Sequence, residues 1–388
     1  MVNPNQPLYP PPGQPWQPRP AAWQPTGTQL RPTYAPGPPI IQGAPKPPQP
    51  QGFPAPPFQP YPGPYAGPPR QQPPKQQPPL ILFAALGLAG VVLILLLVAA
   101  LTRPSQDGPD QQPETQYQNE DWEVPPVSNS PPEFPVPESN AEARTWLDSN
   151  DIYQVALANP VRCDLPLLPG GEVDDNELET HLQDYVSCLT RVWGPALEEA
   201  GFEAYQPQIT VYPVGGTIQT ACGTVESQNA FFCPSDQRIY IAQDVADVLT
   251  ADTQDSRIVF DLIIAHEYGH AMQARSGLLA ASRILSSDAN DDKALEYSRR
   301  TETQADCFAG TAMNSLSVGF GITEEDRQDI LKISFEIGDD QLMKRQGVSV
   351  EPGNHGIGEN RQLWVDRGLT ADSLGTCNTF KAPSSEVK

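Results

Sequence analysis

Residues 266 to 270 read His-Glu-Tyr-Gly-His, an HExxH run inside the apolar segment RIVFDLIIAHEYGHAMQ, and they hold two of the four histidines in the chain. On an α-helix, positions i and i+4 share one face a turn apart, so both imidazoles can reach a single metal ion. Glu267 follows the first histidine and therefore stands beside the coordination position that the protein ligands leave open. A carboxylate there can take a proton from zinc-bound water as the water attacks a carbonyl. The chemistry implied is zinc-assisted hydrolysis, with His266 and His270 as ligands and Glu267 as catalytic base. Ile258, Val259, Leu262, Ile263 and Ala265 would bury this helix, and Gly269 keeps the turn between the ligands slim.

A catalytic zinc takes three protein ligands and keeps one position open. The run LEYSRRTETQADCFAG places Glu302 and Asp306 at i and i+4 on a second expected helix. Glu302 is the expected third ligand. Asp306, one turn later, is placed to hydrogen-bond the far nitrogen of a ligand histidine and fix its tautomer. Asp306 itself, Glu296 and His355 are the competing ligands. Ala305, Ala309 and Gly310 let this helix pack close to the first. His355 sits in the Gly-rich PGNHGIG, a loop that could bring its imidazole over the site as a catalytic donor to the oxyanion of a tetrahedral intermediate; the alternative is a histidine that caps a loop.

These residues need elements to hold them. A first helix is expected from about Asn140, ending at the Asn-Pro pair 159–160, and a second over Asn176 to Ala200. Residues 208–214 and 237–243 read as strands, separated by a loop that holds Cys222 and Cys233. The strand at 237–241 is a candidate edge for an extended peptide. Helices follow, which makes an α+β pattern with one core. All six cysteines lie beyond position 160 and contain no CxxC, so they suit three disulfides in an oxidising compartment. Cys222 with Cys233 closes a local loop, Cys163 with Cys188 ties two early helices, and Cys307 remains for Cys377.

The rest of the chain is uneven. Residues 1–79 hold 29 of the 47 prolines and not one Asp or Glu, which describes a disordered Pro-rich tail with five cations. The remainder, with 19 of the 24 basic residues and all 47 acidic ones, carries a net charge of −28, against nucleic acid as its partner. Residues 80–101, LILFAALGLAGVVLILLLVAAL, have no charge and are long enough to form one transmembrane helix. Cations before it and acids after it place the tail in the cytoplasm and the C-terminal part outside, as a single-pass cell-membrane protein. Residues 102–138 read as an extracytoplasmic stalk and 139–388 as the folded domain.

HEYGHAMQ and ETQADCFAG, together with FCPSDQRIYI, IGDD, HGIGENRQLW and CNTF, make residues 180–380 resemble the neutral zinc metallopeptidase family of bacteria. That resemblance implies a mainly helical, zincin-like metallopeptidase domain with a small sheet, Zn2+ as cofactor and a peptide or protein as substrate. It implies the same ligands, His266, His270 and Glu302, and the same base. The chain departs from the family at Ala271, where another histidine is common, and in the residues after His355. The alternative function is a non-catalytic surface scaffold with a structural zinc site, its Pro-rich tail recruiting a cytoplasmic partner.

Overall fold

The computed structural model describes residues 115–168 and 173–388. The expected tail, the apolar span at 80–101 and the first part of the stalk lie outside the described residues. Among those described, no helix is long and apolar enough to cross a membrane.

The folded part starts before the expected position. Residues 115–138, read from sequence as stalk, lie against the domain. Gln118 N–H donates to Pro160 O at 2.8 Å, and Gln118 bridges to Val161. The Trp122 indole covers Gly194, where an added Cβ would fall 2.1 Å from its ring, and donates to Glu198 at 3.1 Å. Arg275 donates to Pro132 O at 2.7 Å. Composition rich in proline hides this, because the segment packs by single aromatic and carbonyl contacts rather than by periodic apolar faces.

Helix α1 (Asn140–Ser149) is capped by Ser139, whose side chain accepts from the Glu142 N–H. It ends well before the Asn-Pro pair. Asn150 leaves the helical conformation, caps a 3-10 turn at Asp151–Gln154, and donates to Ser276 O at 2.9 Å. Helix α2 (Asp175–Glu199) is capped by Asp174 and buries Leu178, Leu182, Tyr185, Val186, Leu189, Val192 and Trp193 along one face. Each such side chain contributes about 1.5–3 kcal/mol when fully buried.

Five short strands follow: β1 (Ile209–Tyr212), β2 (Thr217–Thr220), β3 (Gly223–Glu226), β4 (Ala230–Cys233) and β5 (Arg238–Ala242). Strand β5 lies between β1, parallel to it, and β4, antiparallel to it. The expected edge at 237–241 is therefore the middle of the sheet, and β4, which the sequence reading left in a loop, is an edge. Strands β2 and β3 form a separate hairpin. The Cys222–Cys233 disulfide ties its turn to the end of β4.

Helix α3 (Val259–Arg275) carries the HExxH run, and every one of its residues except His270 is buried. A helix apolar on nearly all sides belongs in the core. Gly277, at φ 76°, turns the chain into α4 (Leu278–Ser287). Helix α5 (Asp291–Phe320) is capped by Asn290 and stopped by Gly321 at φ 60°. Helices α6 (Glu324–Glu336), α7 (Asp339–Arg345) and α8 (Gly358–Leu369) complete the domain, α6 opening on a Thr323–Asp326 capping box. The remaining disulfides join Cys163 to Cys188 and Cys307 to Cys377.

Two close approaches set the helix spacing. A Cβ at Gly269 would lie 3.0 Å from Ala305 O, so α3 and α5 meet backbone to backbone beside the ligands. Gly310 does not serve the same contact, as the sequence suggested, but faces α8, where its Cβ would be 2.3 Å from Val365 O. Gly310→Val is therefore expected to cost about 1–3 kcal/mol by overpacking, seen as a lower urea midpoint at an unchanged slope.

Candidate metal centre

Helix α3 presents His266 and His270 on one face, their rings edge to face with centroids 4.8 Å apart. Helix α5 brings Glu302 to them. Its Oε2 lies 3.2 Å from His266 Nε2 and 3.3 Å from His270 Nε2. Among the described residues these three form the group able to hold a metal, one ligand atom from each and all within 4.8 Å of one another. Zinc bonds to nitrogen and oxygen of about 2.0–2.1 Å in a tetrahedron imply ligand atoms about 3.3 Å apart. The two measured separations fit that edge. The competing ligands face elsewhere: Glu296 is held by Lys293 and Arg300, and Asp306 lies behind His266.

Both histidines are turned by partners on their outer nitrogens, so that each Nε2 is left for the metal. His266 Nδ1 lies 2.8 Å from Asp306 Oδ1. The His270 Nδ1–H donates to Gln273 Oε1 at 2.8 Å. Gln273 is itself fixed, donating to Thr301 O and Gln304, and Gln304 donates to Tyr153 and to Cys377 O. The orienting role read for Asp306 has this counterpart on His270 that the sequence reading missed; its only signal is the i+3 spacing of Gln273 from His270.

Arg361 of α8 was also missed as part of the site. It grips Asp306 with two bonds, Nε to Oδ2 at 3.0 Å and Nη2 to Oδ1 at 2.8 Å, in a setting where both side chains are buried. Burial disfavours the Asp306 carboxylate, but Arg361 and His266 outweigh it and lower its pKa. Burial also works against a His266 cation, yet Asp306 and Glu302 outweigh it and push that pKa up to about 10. Glu302 follows the same pattern: burial raises its pKa, and the two histidines hold it well below the usual carboxylate value.

Glu267 stays outside the converging set. Its Oε2 accepts from the Phe232 N–H of β4 at 2.8 Å, which sets the edge strand along the site. His355 stands on a loop clasped by Asp339, which accepts from the backbone N–H groups of His355 and Gly356 and contacts the His355 Nδ1 at 3.1 Å. Desolvation works to lower the His355 pKa, but Asp339 and the charge of Glu302 outweigh it and raise it. His355 is thus near enough to Glu302 to feel its charge, and its side chain remains half-exposed. The fourth histidine, His181, is buried against Asp261 at 3.2 Å.

A family model described as "Putative neutral zinc metallopeptidase" matches residues 169–380. The chain belongs to this family. Membership implies zinc as the metal for the group at His266, His270 and Glu302. Among the relatives, the uncharacterized protein YpfJ of Escherichia coli (strain K12) is 33% identical over 195 residues. That match covers 48% of this chain and 66% of YpfJ, just under two thirds of its length. The uncharacterized protein Rv2575 of Mycobacterium tuberculosis (strain ATCC 25618 / H37Rv) is 29% identical over 237 residues, 55% of this chain and 77% of Rv2575. No solved structure matches the chain.

With its pKa near 10, His266 is protonated at pH 7 in the metal-free chain, and zinc uptake then displaces about one proton from it. As pH falls, the proton competes more strongly and zinc is lost. Asp306→Asn removes the carboxylate that sustains this charge, so proton release at pH 7 is expected to fall and zinc affinity to drop about 10- to 100-fold. Calorimetric zinc titrations in buffers of different ionisation enthalpy report both quantities, and equal proton release by the two chains would contradict the coupling.

Proposed function

We propose that the chain is a membrane-anchored, extracytoplasmic zinc metallopeptidase that hydrolyses peptide bonds. The observation that carries this reading is the position of Glu267. It lies between the two histidine ligands in sequence and outside the ligand set in space, with its carboxylate bonded to the edge-strand N–H of Phe232. A purely structural zinc site has no use for such a carboxylate.

Zinc, when bound, supplies a Lewis acid that polarises a carbonyl and acidifies water at the open position. Glu267 accepts the proton of the attacking water and delivers it to the leaving amine. His355, steadied by Asp339 through Nδ1, offers its Nε2–H to the oxyanion that develops on the carbonyl. Strand β4, an edge of its sheet among the described residues, provides a rim for an extended peptide, a mode in which main-chain bonds give affinity. Phe232 N–H would exchange its bond to Glu267 for substrate or hold the base in line. The uncharged span at 80–101 and the three disulfides beyond it support the anchored, outward-facing placement.

Glu267→Gln is expected to keep zinc and to lower kcat/KM by about 10²- to 10⁴-fold, measured on a quenched-fluorescent peptide library with zinc content determined in parallel. A parent chain full of zinc that cleaves no peptide contradicts the proposal. His355→Ala should cost about 10²- to 10³-fold, mostly in kcat, if the imidazole meets the oxyanion as described; a change confined to KM would remove it from that role.

A further inference from the structure

The loop that carries His355 crosses α5 at the turn of Glu302. Arg299 and Thr303, at i and i+4 on α5, stand on one face of that helix with Glu302 on the turn between them. Arg299 Nη1 donates to Gly353 O at 3.2 Å. A Cβ at Gly356 would meet Thr303 Cγ2 at 3.8 Å. These two contacts flank Glu302 in the sequence of α5 and His355 in the sequence of the loop.

Asp339 holds the imidazole at Nδ1 and the loop backbone through the N–H groups of His355 and Gly356. It belongs to α7, however, which is seven residues long and buries none of them. A clasp from so lightly packed a helix fixes the ring to the loop without fixing the loop to the metal group. Residues 385–388 make that second connection. Each of their carbonyls accepts one bond: Ser385 O from Asn360 Nδ2 at 3.2 Å and Glu386 O from Trp364 Nε1 at 2.8 Å, both on α8, Val387 O from Arg299 Nε at 3.1 Å, and Lys388 O from the Ile357 N–H at 2.8 Å. The Val387 side chain is fully buried, and Arg367 of α8 pairs with the Glu386 carboxylate at 2.6 Å.

Arg299 is where these segments meet. One turn before Glu302, its guanidinium gives Nε to Val387 O and Nη1 to Gly353 O. Bonds from a guanidinium are charge-assisted, and its planar fork fixes the two acceptors relative to each other. The histidine ligands are oriented by other residues, Asp306 and Gln273, so what Arg299 orders is the loop.

We infer that Arg299 is a positioning residue that, with residues 385–388, fixes the His355 loop against the turn of α5 that carries Glu302. Its effect on turnover rests on the peptidase reading, in which His355 meets the oxyanion; the clasp itself does not.

The test uses the full-length, zinc-loaded chain. Arg299→Ala and, separately, a chain lacking residues 387 and 388 are compared with the parent by hydrogen exchange of the amides of residues 355–357 and by kcat and KM on one peptide substrate. Loss of the charge-assisted bonds is expected to speed that exchange about 10- to 100-fold. Displacement of the imidazole should lower kcat by about 10- to 100-fold with little change in KM. Arg299→Lys, able to keep one of the two bonds, should fall between the parent and Arg299→Ala. In a His355→Ala background, Arg299→Ala should cost nothing further in kcat, because a loop without its imidazole has nothing to position. Should Arg299→Ala fail to fold, the shortened chain and Arg299→Lys carry the same readouts. Exchange unchanged in the variants, faster exchange with kcat unchanged, or an equal loss of kcat with and without His355 overturns the inference. A parent chain that cleaves no peptide contradicts the peptidase reading, and the exchange rates then decide the clasp alone, faster exchange supporting it and unchanged exchange overturning it.

Discussion

Two imidazoles and a carboxylate can converge on one point only if the helices that carry them touch. Here that contact is made where Gly269 of α3 meets the backbone of Ala305 of α5, so closely that an added Cβ would stand 3.0 Å from Ala305 O and push the helices a few tenths of an ångström apart. The missing Cβ lets the helices close until Glu302 lies 3.2–3.3 Å from both Nε2 atoms. The rest of the domain holds this approach. Helix α8 packs into the opposite side of α5 at Gly310, and the Cys307–Cys377 bond ties the chain's end to the ligand helix one residue past Asp306.

Such a site gathers charge in a place where charge is expensive. Asp306 and Arg361 are nearly inaccessible to solvent, and a buried ion pair tolerates the loss of neither partner, since the other is left uncompensated. What the pair achieves is orientation: with Asp306 held by two arginine bonds, its Oδ1 has one position in which to meet His266. The neutral route to the same end is used on His270, through the amides of Gln273 and Gln304. The two ligands are therefore steadied by different chemistry, His266 by a buried carboxylate and His270 by uncharged amides.

The parts of the site that follow from helical spacing were readable in the sequence. His266, Glu267 and His270 share a turn, and Glu302 and Asp306 repeat that spacing, so their geometry is local. The boundaries of α2 followed from its apolar face in the same way. What escaped depends on contacts between distant segments. Arg361 and Asp339 reach the site from helices that no periodicity connects to α3. The edge position of β4 is a property of sheet order, and a strand of four residues ending on Cys233 carries too little pattern to show it. The packing of residues 115–138 rests on isolated contacts such as Trp122 over Gly194, which a proline-rich composition conceals.

The central claim is that two histidines and one glutamate hold zinc and leave a position open. X-ray absorption at the zinc edge of the purified, zinc-loaded chain examines it directly. The account predicts one zinc per chain with nitrogen and oxygen neighbours at about 2.0–2.1 Å, the multiple-scattering signature of two imidazoles, and one of those two lost in His270→Ala. A shell of sulfur at about 2.3 Å, or a spectrum that His270→Ala leaves unchanged, would contradict it.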